Sequence, residues 1–131
     1  MPAMQVLIAD DEPHVLELVR ITLEDERVQV TEAGDGETAV ALAHALRPDV
    51  ILLDVEMPGI DGLEVCRRLR MDPAFTDTAI VMLTAAAQRE DVERGLAAGA
   101  DEYLTKPFSP IRLLSLLERL KPSMPLWIPQ R

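Results

Sequence analysis

The sequence predicts an α/β fold, a five-stranded parallel sheet packed between two layers of helices. Three observations lead there. Short continuous apolar runs at residues 6–9, 50–53 and 78–83 alternate with segments of helical spacing. Strands of that kind need cover on both faces, which a parallel sheet provides. They recur every roughly 22 to 30 residues, which leaves room for a crossover helix after each. Finally, the ten prolines fall at termini, element boundaries or helix first turns, so local chemistry and global pattern agree.

Taken in order, Val6-Leu7-Ile8-Ala9 is the first strand and runs into acids. Residues 13–26 place Val15, Leu18, Val19, Thr22 and Leu23 on one helical face. Val28-Gln29-Val30-Thr31 alternates, as a half-buried edge strand does. Gly34-Asp35-Gly36 signals a turn, and the Ala-rich residues 37–46 form a helix that Pro48 stops. The second continuous run, residues 50–53, ends in Asp54. A loop at Met57-Pro58-Gly59 leads to a third helix over residues 61–71, broken by Asp72-Pro73. The run at residues 78–83 ends in Thr84. Residues 88–98 read as a helix closed by Gly99, the residue favoured just beyond a helix end. A short strand at residues 102–104 leads to Lys106-Pro107. Ser109 caps the last helix, Pro110 occupies its first turn, and Leu113, Leu116, Leu117 and Leu120 form its core face.

A length of 131 residues suits one domain, expected over residues 1–121. Residues 122–131 carry Pro122, Pro125 and Pro129 and read as a proline-rich tail or linker, with Trp127 as its one large anchor. Apolar residues make up 48% of the chain and aromatic ones 3%, so an aliphatic core is expected. The net charge of -10 argues against direct binding to nucleic acid or an anionic membrane surface, both of which need Lys and Arg. Cys66 is the single cysteine and cannot form an internal disulfide; mid-helix among apolar neighbours, it reads as core. No apolar run is long enough to span a bilayer, and the opening MPAMQVLIADDE is unlike a signal peptide. A cytoplasmic protein is expected. His14 and His44 lack metal-ligand spacing.

The informative chemistry lies at the strand ends. In a parallel α/β sheet, ligands bind beyond the carboxyl ends of the strands. Four such ends deliver Asp10-Asp11, Asp54, Thr84 and Lys106 to one edge. Each has a plainer reading alone: Asp10 or Asp11 as a cap for the helix at Pro13, Asp54 as a loop acid, Thr84 as a strand end, Lys106 as a solvated charge. Their joint occurrence at successive strand ends favours a site. Carboxylates about 4 Å apart repel by roughly 4 kcal/mol per pair at an effective dielectric near 20, so a proton or cation must relieve them. An all-oxygen donor set suits Mg²⁺. With a lysine charge and a threonine hydroxyl beside it, the set can support phosphoryl transfer to Asp54.

The strings VLIADDEP, DVILLDVEMPGIDGLEVCRRLR, IVMLTA and GADEYLTKPF, in that order, resemble the receiver domain of bacterial two-component response regulators, and chemotaxis regulators among them. The likeness spans roughly residues 5–120. It implies a flavodoxin-like, doubly wound sheet of strand order 2-1-3-4-5 with five helices, and a phosphorylation switch rather than a turnover enzyme. By the resemblance, Asp54 accepts phosphoryl from a sensor histidine kinase, a phosphotransfer protein or a small phosphodonor. Asp11 would ligate Mg²⁺ directly, Asp10 through water, and Asp54 and the backbone carbonyl of Glu56 would complete the protein ligands. Thr84 would move toward the phosphoryl group, Lys106 would pair with it, and Tyr103 would turn inward as the switch. Lys106-Pro107 would be cis. Glu56 and Ala86 would flank the attacking water and tune phosphoryl lifetime. The surface of the fourth helix, fifth strand and fifth helix, with Arg94, Asp101 and Arg112 as candidate contacts, would meet an output protein or domain, or a second copy in a homodimer. A chain cut from a longer regulator with a DNA-binding or enzymatic output is the runner-up. An aspartate-nucleophile phosphatase would need its paired acids spaced differently and a cap domain. A flavin protein would need a Ser/Thr/Gly-rich phosphate loop where Ala9-Asp10-Asp11-Glu12 stands.

Overall fold

The structure, a computed structural model, describes residues 4–85 and 89–123. Five strands, β1 (Met4–Ala9), β2 (Val28–Ala33), β3 (Val50–Asp54), β4 (Ala79–Thr84) and β5 (Glu102–Thr105), pair in parallel in the order β2-β1-β3-β4-β5. Five helices alternate with them: α1 (Pro13–Leu23), α2 (Gly36–Leu46), α3 (Gly62–Arg70), α4 (Arg89–Ala97) and α5 (Pro110–Leu120). This is the expected flavodoxin-like architecture.

Two apolar clusters form, one on each face of the sheet, because successive strand side chains point to opposite sides. Val6, Ile8, Val50, Leu52, Val81 and Leu83 pack under α1 and α5. Leu7, Ala9, Ile51, Leu53, Ile80 and Met82 pack under α2 and α3, and Gly95 of α4 lies against Met82. That is why the central runs are apolar without alternation. β2 alternates as expected of an edge, though it runs on to Ala33 because it pairs with β1 along its whole length, from Met4↔Val28 to Ala9↔Ala33.

Differences from the sequence expectation are local. α1 ends at Leu23, not residue 26, because the Asp25 carboxylate takes the N–H groups of Arg27 and Val28 (2.7 and 3.0 Å) and turns the chain. A 3₁₀ turn, Pro73–Phe75, follows Asp72, whose carboxylate accepts from the Ala74 N–H. It buries Phe75 completely, and Phe108 is buried as well, so the core is not purely aliphatic. Asp35, Asp61 and Ser109 cap α2, α3 and α5 through their side chains. Gln88, Ala86, Pro125, Trp127 and Pro129 lie outside the described residues. Among the described residues, no helix is long and apolar enough to cross a membrane.

Candidate functional site

Register alone builds the site. β1 and β3 pair Ala9 with Leu53, which sets Asp10 level with Asp54. β3 and β4 pair Asp54 with Leu83, so Thr84 stands one step beyond. β4 and β5 pair Thr84 with Thr105, so Lys106 follows directly. All four therefore meet at one sheet edge, with Asp10 buried behind a cavity of about 520 Å³ lined by Asp11, Glu12, Asp54, Glu56, Thr84, Arg94 and Lys106 among others. Behind Asp54 stands Gly62: a Cβ there would collide with the Asp54 carbonyl oxygen and touch Met82, so only glycine lets α3 start this close to β3.

The acids are crowded. Asp10, Asp11, Glu12 and Asp54 each offer an oxygen within 4.8 Å of the others. Asp10 is fully buried and Asp54 nearly so. The Oδ1 of Asp10 accepts the Glu12 N–H at 2.9 Å, and the Oδ1 of Asp54 accepts the Glu56 N–H at 3.2 Å. Lys106 Nζ lies 2.7 Å from Asp10 Oδ2, 3.0 Å from Glu12 Oε1 and 3.3 Å from Asp54 Oδ2. Burial, then the neighbouring Asp10 charge, push the Asp54 carboxyl up to about 6, although Lys106 and the Glu56 N–H oppose them. Burial works against the Lys106 ammonium, but its contacts with Asp10 and Glu12 and the Asp54 charge outweigh that and raise its pKa.

A cation fits this donor set. The second oxygen of Asp10 is buried and faces the Lys106 ammonium at 2.7 Å. Four carboxylates gathered around a single ammonium form an oxygen-only donor set that suits a hard divalent ion retaining water.

The family profile of the response regulator receiver domain matches residues 6–118. The chain belongs to this family. It is 44% identical over 116 residues to the DNA-binding dual master transcriptional regulator RpaA of Synechocystis sp., a match covering 88% of this chain and 48% of that protein. Among solved structures, the chemotaxis response regulator CheY4 of Vibrio cholerae is similar with a TM-score of 0.84 and 39% identity, over 89% of this chain and 98% of that one. The receiver domain of the sensor histidine kinase PA1611 from Pseudomonas aeruginosa, solved with a magnesium ion coordinated in its active site cleft, gives 0.83 and 33%, over 92% and 99%. The chain spans about half the length of the curated relatives it matches.

In this receiver domain the acids, Thr84 and Lys106 are brought together as expected, and Lys106-Pro107 is cis. Neither Asp10 nor Asp11 caps α1; Glu12 holds the cap position, without a side-chain bond. Tyr103 is half-buried and lines a separate groove with Ile111, Arg112 and Arg119. Two of the candidate surface contacts are exposed and also have neighbours within the domain. Arg94 lines the acidic cavity. Asp101 is exposed, and its carboxylate takes the Arg70 guanidinium and the Ile80 N–H, both at 2.8 Å. The expectation missed Glu12. Its adjacency to Asp10-Asp11 was the available signal, but a half-exposed acid before a helix reads as a solvated one. Cys66 is buried, which pushes its thiol up to about 11 and makes it inert, as a core residue.

Proposed function

We propose that Asp54 is the phosphoacceptor of this receiver domain. The observation that carries this reading is the convergence of Asp54, the acid cluster and the Lys106 ammonium in one cavity. An Asp54 oxygen forms the new bond to phosphorus while the donor's bond breaks, from a phosphohistidine nitrogen or the acyl oxygen of a small phosphodonor, and that leaving group departs. Asp11, Asp54 and the Glu56 carbonyl would hold Mg²⁺ directly, with Asp10 supporting it through water. When bound, the ion supplies positive charge to the transferring phosphoryl oxygens. Lys106 neutralises the product and Thr84 donates its hydroxyl to it, with Tyr103 following as the switch.

The partners follow from the family: a sensor histidine kinase or phosphotransfer protein upstream, and an output protein or domain downstream. The DNA-binding relatives, about twice as long, favour a transcriptional output attached beyond this domain, with residues 122–131 as its linker. A homodimer through α4, β5 and α5 would use the Tyr103 groove and Arg112.

Intact-protein mass after incubation with acetyl phosphate and Mg²⁺ tests the acceptor. Wild type gains one phosphoryl group, and neither Asp54→Ala nor wild type in chelator does. A gain that survives Asp54→Ala moves the acceptor elsewhere. Glu56, exposed at the cavity mouth two residues beyond Asp54, sets the lifetime of the product. Glu56→Ala changes the decay rate of phosphorylated protein by about threefold or more; unchanged decay removes Glu56 from that role.

A further inference from the structure

β2 forms one outer edge of the sheet, and the end of α1 is laid over it. In the parallel ladder between β1 and β2, the N–H groups of Met4 and Asp10 donate to the carbonyls of Arg27 and Ala33. Odd-numbered residues of β2 therefore face β1, and the backbone groups of Val28, Val30 and Glu32 point away from the sheet. Such a row is a template for pairing with another strand. Val28 and Val30 bury their side chains in the core, so the shielding has to come from outside the strand.

It comes from the α1–β2 connection. Asp25 occupies both groups of Val28: its carboxylate accepts the Val28 N–H at 3.0 Å, and its own N–H donates to the Val28 carbonyl at 3.1 Å. Glu24, the C-cap of α1, accepts the Val30 N–H on Oε2 at 3.3 Å. Arg20, in the last turn of α1, holds Glu24 there, its guanidinium lying 2.6 Å from that same oxygen and 2.9 Å from Glu32 Oε2. The outward groups beyond these are the Val30 carbonyl and the Glu32 backbone, a stretch shorter than an ordinary strand. We propose that the Arg20–Glu24–Asp25 clasp is an autoinhibitory strap on the β2 edge: it occupies the groups through which β2 would pair antiparallel with β2 of a second copy of this chain. A second copy fits because a two-fold axis at Thr31 sets Val30 opposite Glu32 of the other copy and matches donors to acceptors. That pairing needs the Val30 N–H, which Glu24 takes in the monomer.

The test is self-association of the unphosphorylated protein, followed by sedimentation velocity from about 10 μM to about 1 mM. Wild type and Glu24→Gln, which keeps an oxygen acceptor, show the same average mass at each concentration. Glu24→Ala reaches a given dimer fraction at a concentration about tenfold or more lower, since each dimer gains two hydrogen bonds. Arg20→Ala, which releases the Glu24 carboxylate without removing it, shifts association the same way by a smaller factor. In Glu24→Ala the amide resonances of Val30 and Glu32 move with concentration. Adding Glu32→Pro to Glu24→Ala removes an outward N–H and no bond to β1, and it restores wild-type behaviour. A Glu24→Ala protein that associates no more than wild type would overturn the proposal and leave the clasp as a fastening of α1 to β2. A dimer that Glu32→Pro leaves intact would overturn it as well, because the contact then lies elsewhere. If Glu24→Ala does not fold, Arg20→Ala with and without Glu32→Pro makes the same comparison.

Discussion

Asp54 is buried at a cost in stability that can be measured. Its pKa of about 6 in the folded protein stands above the 3.8 of a free aspartate, first because burial disfavours the carboxylate and then because Asp10 is beside it. The folded state therefore binds this proton more tightly than the unfolded state. The resulting stabilisation is full below 3.8 and is lost as pH rises through about 6. Asp54→Asn, neutral at every pH, escapes that loss. In the absence of Mg²⁺ the variant is expected to be more stable than wild type by about 1–3 kcal/mol near pH 7.5, with the difference shrinking toward about pH 4.5. Denaturation at the two pH values checks this; a variant no more stable near neutrality would contradict the buried-charge account. Lys106 is the counterweight, 3.3 Å from Asp54 Oδ2.

At the scale of elements, the site depends on close approaches that no single residue shows. α3 starts against β3 because Gly62 has no side chain. Gly62→Ala must push α3 away or distort the Asp54 carbonyl, and is expected to cost about 1–3 kcal/mol in a urea titration and to slow phosphorylation as well. An unchanged midpoint would show that the helix yields freely. At the opposite edge of the sheet, Arg70 fastens α3 to its neighbours. Its guanidinium donates to the carbonyls of Gly99 and Phe75 and pairs with Asp101, joining the 3₁₀ turn and the α4–β5 connection. Arg47 ends α2 with φ 49°, a conformation that favours glycine or asparagine, and its guanidinium lies 5.3 Å over the Phe75 ring. These contacts explain why a three-residue turn with one phenylalanine became part of the core.

For the whole molecule, the acid cluster makes stability and cation binding one equilibrium. An ion that binds only the folded state stabilises it by mass action, about 1.4 kcal/mol when its concentration is tenfold above Kd. Mg²⁺ should therefore raise the melting temperature of wild type, chelator should reverse the gain, and Asp11→Ala should abolish most of it. A melting temperature indifferent to Mg²⁺ would argue that the cluster is relieved by Lys106 and protons alone. The net charge of -10 adds to the attraction for cations and opposes contact with nucleic acid by this domain. A DNA-binding output, of the kind its relatives carry, would have to supply the basic surface itself.

The alternation of apolar strands with amphipathic helices determined the fold class, because only a sheet covered on both faces accepts residues such as 50–53 without polar relief. The same rule placed Asp10, Asp11, Asp54, Thr84 and Lys106 at one edge, since parallel strands bring their carboxyl ends together. What distance and orientation control was left to the tertiary structure. The end of α1 followed an Asp25 side-chain turn, Phe75 was buried by a turn that periodicity is too short to reveal, and Asp101 was paired with Arg70 across the α3 and α4–β5 segments. Glu12 is the sharpest case. Sequence shows a third acid in a row, while its pairing with Lys106 requires β1 and β5 to be placed with two strands between them, which only the packed sheet decides.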